Sequence, residues 1–115
     1  MQDIARSLRL LGYEVDIKTD LNQLDMEKAV HDFVSKLRSD KESEGFFWFA
    51  GLGIEIGGEN YLCPVDCNAN SESLLRSSSI PLYYIQENLN SAGNKINVLF
   101  LDSCRDNPLE LSGYR

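Results

Sequence analysis

Residues 46–58 read FFWFAGLGIEIGG, and their reading decides the fold. Four consecutive aromatics, Phe46 to Phe49, suit a strand buried on both faces, because each face of a strand takes every second side chain. Glycines directly after such a strand let the backbone turn sharply or approach another group closely. Gly51-Leu52-Gly53 therefore marks a strand end of the kind at which α/β proteins place their sites. Just beyond it, the alternating segments IEI and ENYL are joined by Gly57-Gly58, a hairpin signal.

Outward from this stretch the chain alternates between helical and strand patterns. Residues 2–11 place Ile4, Leu8 and Leu11 on one helical face, with Gly12 as a C-terminal stop. Residues 13–17, YEVDI, alternate as a strand does, and Thr19, Asp20 and Asn22 supply turn and cap residues. Leu24, Ala29, Val30, Phe33, Val34 and Leu37 recur at helical spacing and predict a second helix over 24–37. Residues 68–79 are polar and serine-rich and predict a loop. Pro81 suits a first helical turn, and Tyr84, Ile85 and Leu89 give the following helix, near 82–90, an apolar face. INVLFL then forms a nearly continuous apolar strand that stops at Asp102. Such alternation indicates an α/β domain with a largely parallel sheet and helices on both faces. If the strands ending at Ala50 and at Leu101 are neighbours, Gly51-Leu52-Gly53 and Asp102-Ser103-Cys104 open on the same edge of the sheet.

Composition narrows the function classes. With 115 residues the chain is a single domain. Eleven Lys and Arg against 18 Asp and Glu give a net charge of -7, which argues against a surface that tracks nucleic-acid phosphates. The longest apolar run, residues 46–54, is far shorter than the roughly 20 residues that span a membrane, and no signal-peptide pattern opens the chain. The expectation is a cytoplasmic protein that engages neither membrane nor nucleic acid. Cys63, Cys67 and Cys104 make an odd count, which speaks against a disulfide framework and leaves at least one thiol free. A metal site is not expected, because the lone His31 lies inside a helical pattern and no second cysteine pair completes four ligands.

On the residues alone, Cys104 admits two readings. Just past a buried strand in the polar context DSCRDN, with Arg105 beside it, it suits a nucleophilic thiol; it also suits an ordinary small apolar residue at a strand end. A catalytic cysteine needs a base, since an unperturbed thiol is only a few per cent thiolate near neutral pH. Asp102 likewise reads either as a turn cap or as a carboxylate presented to a cationic group.

The order of LGYEV, DLNQLDMEKAVHDF, FFWFAGLG, the hairpin running into NYLCPVD, and NVLFLDSCRDNP resembles the large-subunit half of a caspase-like cysteine peptidase, most nearly of paracaspase or metacaspase type. The resemblance runs from about Asp3 to Pro108. It implies a three-layer α/β caspase-like (caspase-hemoglobinase) fold over residues 1–115, lacking the family's first strand and its small-subunit part. In that family the aromatic strand ends in Gly-His-Gly, whose histidine is the general base, and a later strand ends in Asp-x-Cys, whose cysteine attacks the scissile carbonyl. By that match Cys104 is the nucleophile, Leu52 occupies the place of the missing histidine, and the backbone N–H groups of Gly53 and Cys104 form the oxyanion site. Asp102 matches the acidic residue that binds a basic side chain before the scissile bond. Asp66 matches a recurrent position near the site without a chemical role. The resemblance implies a peptide or protein substrate and no cofactor, with activity impaired or lost because leucine cannot accept a proton. The alternative it implies is a pseudopeptidase that serves as a binding or scaffold module. If the family's strand order holds, the absent first strand leaves a gap between residues 13–17 and 46–50 that a partner chain, another segment or a rearranged register has to fill, and pairing with a homologue or a second copy through an exposed sheet edge is a further expectation.

Overall fold

A computed structural model describes residues 2–104, with backbone only at residues 2 and 104. The elements run α1 (Gln2–Leu10), α2 (Gln23–Arg38), β1 (Glu44–Ile56), β2 (Glu59–Leu62), α3 (Glu72–Ser78), β3 (Ile80–Pro81), α4 (Leu82–Ser91) and β4 (Ile96–Cys104). The four strands form one mixed sheet in the order β3-β2-β1-β4. β1 and β4 are parallel neighbours over nine residues, from Glu44 opposite Ile96 to Leu52 opposite Cys104. β1 then pairs antiparallel with β2 from Gly53 opposite Leu62 to Ile56 opposite Glu59.

Each helix has a local cause. α1 carries Asp3 in its first turn and Arg9 in its last, matching the helix dipole. It stops at Gly12, whose φ of 92° suits glycine, with Gly12 N–H donating to Arg9 O (3.0 Å) and Tyr13 N–H to Leu8 O (3.0 Å). That pair of bonds is the Schellman ending. α2 begins at Asn22, whose Oδ1 accepts from the Asp25 N–H at 2.8 Å, and it buries Val30, Val34 and Leu37. These three join Leu62, Ile80, Ile85, Leu89 and Ala92 in the main core, against which Phe47, Phe49, Leu99 and Leu101 pack from the sheet. A second, smaller core on the opposite face holds Ile54, Ile56, Tyr61 and Leu75 of α3. Helices thus cover both faces, α2 and α4 on one and α3 on the other.

Four expectations change. The segment 13–17 joins no ladder and forms no strand. No described strand lies beside β1 there to accept its backbone bonds, and isolated extended chain gains little without a paired neighbour. Its acidic side chains are held instead by α2, with Lys36 Nζ at 3.2 Å from Glu14 and 2.9 Å from Asp16. Residues 72–78, within the expected loop, form α3. Ser71 caps it by accepting from the Leu74 N–H (3.1 Å), Glu72 pairs with Arg76 at 2.8 Å, and Leu75 is fully buried. The serines that suggested a loop close the helix instead, as Ser78 Oγ donates to Leu74 O (2.6 Å) and Ser79 Oγ to Leu75 O (2.6 Å). Pro81 stands before α4 rather than in its first turn, paired with Tyr61 at the sheet margin, where a missing N–H is tolerated. Finally, Cys63 and Cys67 are joined as a disulfide with Cα atoms 5.6 Å apart, where the odd cysteine count spoke against a disulfide framework.

The aromatic strand is covered asymmetrically. Phe47 and Phe49 face the main core, whereas Phe46 and Trp48 share the other face with Phe100, whose ring stacks on Trp48 at a centroid separation of 4.2 Å. On that face Ile96, Val98 and Phe100 are 55%, 42% and 45% exposed among the described residues.

At the start of the parallel pair, Asn94 and Asn97 exchange side-chain bonds of 2.8 and 2.9 Å, while Asn97 Nδ2 donates to Leu89 O and Asn94 Nδ2 to Ser43 O. Gly45 leaves room for this pair, since a Cβ there would strike Asn97 Oδ1 and come within 2.9 Å of Leu37. Gly45→Ala is expected to cost about 1–3 kcal/mol by overpacking, read as a lower thermal midpoint with unchanged circular dichroism below it.

The hydrogen bond and charge of Lys36 hold the Asp16 carboxyl below the usual aspartate range. A depressed folded-state pKa contributes stability above the ordinary aspartate pKa and loses it as pH falls through the folded value. Both groups are exposed, so the effect is small. Lys36→Met is expected to return the Asp16 midpoint, followed by NMR titration, toward its ordinary value.

Candidate functional site

β1 does not stop at its glycines. It runs on to Ile56, and Gly51-Leu52-Gly53 is where its partner changes, from β4 up to Leu52 to β2 from Gly53 onward. The sheet diverges there, and an edge opens at the carboxyl end of the parallel pair. Glycine suits the place for steric reasons, as a Cβ on Gly51 would lie 2.9 Å from the Phe49 ring.

The divergence brings the sequence-derived positions into register. Leu52 is the Cα partner of Cys104, Gly51 of Ser103 and Ala50 of Asp102. Asp102 and Ala50 are exposed, Leu52 and Ser103 half-buried, and Gly53 is buried opposite Leu62. The Cys104 side chain and Arg105 lie outside the described residues. Leu52 packs against the second core, in company with Cys63 and Cys67, and its carbonyl accepts from the Cys63 N–H at 2.9 Å. A hydrocarbon side chain therefore stands beside the Cys104 position, part of an apolar cluster and without proton-accepting capacity.

His31 is engaged elsewhere. It is exposed on α2, with Nε2 at 2.7 Å from the Tyr84 hydroxyl of α4 and the two rings edge to face at 6.0 Å. Burial, with Glu27 nearby, raises the Tyr84 pKa.

Asp66 receives a structural role that the sequence left open. Its Oδ1 accepts from the Gln23 N–H at 2.9 Å, capping α2 from a loop 43 residues away, while the neighbouring Val65 N–H donates to Leu21 O at 3.0 Å. The Gln23 side chain in turn donates to Ser77 O (2.8 Å) and Ser79 O (3.2 Å). Two donors of the first turn are thus satisfied from different places, Gln23 by Asp66 and Asp25 by Asn22. The Pro64-Val65-Asp66 turn signal could have suggested the loop, but not its destination.

A sheet of this topology, with Gly-Leu-Gly and Asp-Ser-Cys side by side at the carboxyl ends of its parallel strands, defines a caspase-like α/β domain. The comparison with known families agrees: the peptidase C14 caspase domain matches residues 1–114. The chain belongs to the caspase-domain family. It is also 33% identical over 105 residues to the human (Homo sapiens) mucosa-associated lymphoid tissue lymphoma translocation protein 1, covering 90% of this chain and 12% of that protein. The mouse (Mus musculus) homologue matches to the same extent. The chain thus spans about one eighth of the length of these curated relatives.

Removing the Asp66 carboxylate tests the remote cap. Asp66→Ala is expected to destabilise the fold by about 1 kcal/mol and to accelerate amide exchange at Gln23, with Asp66→Asn retaining most of the protection.

Proposed function

We propose that the chain is a caspase-like cysteine endopeptidase domain that prefers a basic residue before the scissile bond and whose activity is impaired or lost through Leu52. The observation that carries this reading is the register of Leu52 with Cys104 across the parallel pair, which matches the family's base-nucleophile arrangement with leucine in place of the base. In the proposed chemistry the Cys104 thiolate attacks the scissile carbonyl carbon. The backbone N–H groups of Gly53 and Cys104 bind the developing oxyanion, and Asp102 takes an arginine or lysine of the substrate through charge-assisted hydrogen bonds. Deprotonation of the thiol and protonation of the leaving amine are the steps left without an agent, and loss of that agent typically costs several orders of magnitude in rate. No cofactor enters the scheme, and the proposed setting is the cytoplasm. No described helix is long and apolar enough to cross a membrane.

A second reading is a pseudopeptidase module that pairs with an active homologue or with itself. It draws on the sheet margins. Along Glu44–Gly51 the edge of β1 away from β4, and the whole outer edge of β4, have no strand partner among the described residues, and β4 beside them is exposed and apolar.

Hydrolysis of a fluorogenic peptide with arginine before the scissile bond separates the two. Leu52→His is expected to raise the rate at least tenfold over the unmodified chain, and Cys104→Ala in the same background to abolish the gain. No gain in Leu52→His, or a gain that survives Cys104→Ala, counts against the peptidase reading and leaves the binding module in front.

A further inference from the structure

We propose that Cys63 and Cys67 form a redox latch that couples the thiol-disulfide state of the surroundings to the start of α2 and to the strand segment at Leu52. The disulfide closes a loop of only five residues, and the three between its ends carry the contacts that matter. Val65 N–H holds Leu21 O at 3.0 Å, Asp66 Oδ1 takes the Gln23 N–H at 2.9 Å, and Pro64 O accepts from Cys67 N–H at 3.1 Å. At the entry to the loop, Cys63 N–H is bonded to Leu52 O at 2.9 Å, and just past its exit Asn68 N–H is bonded to Ser78 Oγ of α3 at 2.7 Å. One covalent ring therefore fastens three elements: β1 at Leu52, α2 at its first turn and α3 at its last.

Three features suit this ring to switching rather than to bulk stability. Both cysteines are half-buried, so a small thiol has access to them. A five-residue loop constrains the unfolded chain weakly, changing the folding constant by roughly 30-fold, and a domain survives that change. The third cysteine is two strands away, with Leu52 between it and Cys63, so the pair closes on itself. Reduction consumes two equivalents of a small thiol: the Cys63–Cys67 bond breaks, both sulfurs become thiols, and the reductant leaves as its disulfide. The loop then keeps its sequence but not its closure, and Val65 and Asp66 hold α2 less firmly.

The latch stands independently of whether Cys104 acts on a peptide, because its readouts are thiol state and amide exchange. The test uses the full chain equilibrated with oxidised or reduced glutathione, then alkylated and mapped by mass spectrometry, with hydrogen exchange run in parallel. Under oxidation the peptide containing Cys63 and Cys67 is expected to be two mass units lighter and unalkylated while Cys104 is alkylated. Under reduction all three cysteines alkylate and exchange at Val65 and Gln23 rises by up to roughly 30-fold. Cys67→Ser is expected to exchange at the faster rate in both buffers. Failure of the pair to oxidise, a disulfide that includes Cys104, or equal exchange in the two buffers would overturn the proposal. The native-sequence comparison decides the matter even if Cys67→Ser does not fold.

Discussion

The parallel pairing of β1 with β4 is the contact on which the other elements depend. Parallel strands cannot be joined by a tight turn, so the chain between them must cross over, and here the crossing contains β2, α3, β3 and α4. Its return places α4 against α2 over Phe47, Phe49, Leu99 and Leu101, so one pairing both builds the main core and sets two strand ends side by side. Asn94 and Asn97 secure the beginning of that pair, and the change of partner at Gly53 concludes it. The candidate site is the upper limit of a contact whose lower limit is a pair of asparagines.

At that limit the usual relation between a buried strand and a polar site is inverted. Leu52 turns toward Ile54, Ile56, Tyr61 and Leu75, extending the small core to the position opposite Cys104. A histidine there would need a polar partner for its second ring nitrogen among these apolar neighbours, whereas leucine adds to their packing. Leucine at position 52 is therefore locally consistent with the fold around it.

Much of this was legible in the sequence because the relevant signals are local. Helical spacing from Leu24 to Leu37, glycines at 12, 57 and 58 with positive φ, and the apolar run from Ile96 each state their own structure, and the structure follows them. The meeting of the two strand ends was conditional on their strands being neighbours, a condition that the pairing of β1 with β4 meets. What escaped notice depends on distant partners or on competing local signals. The alternation of YEVDI cannot reveal that no strand stands beside it among the described residues. The serines around α3 favour turns and helix caps alike, and only the burial of Leu75 resolves them. Asp66 looks like any turn aspartate until α2 arrives at it, and the closure of Cys63 on Cys67 could not be read from a cysteine count that is odd.

The stacked pair of Trp48 and Phe100 has an optical consequence. Trp48 is the chain's single tryptophan, and its ring lies closer to Phe100 of the neighbouring strand, at 4.2 Å, than to Phe46 of its own, at 6.3 Å. Its emission therefore senses the docking of β4 on β1, with no other indole to dilute the signal. The domain carries a built-in fluorophore at the seam of its outermost described strand, on the sheet face opposite α2 and α4.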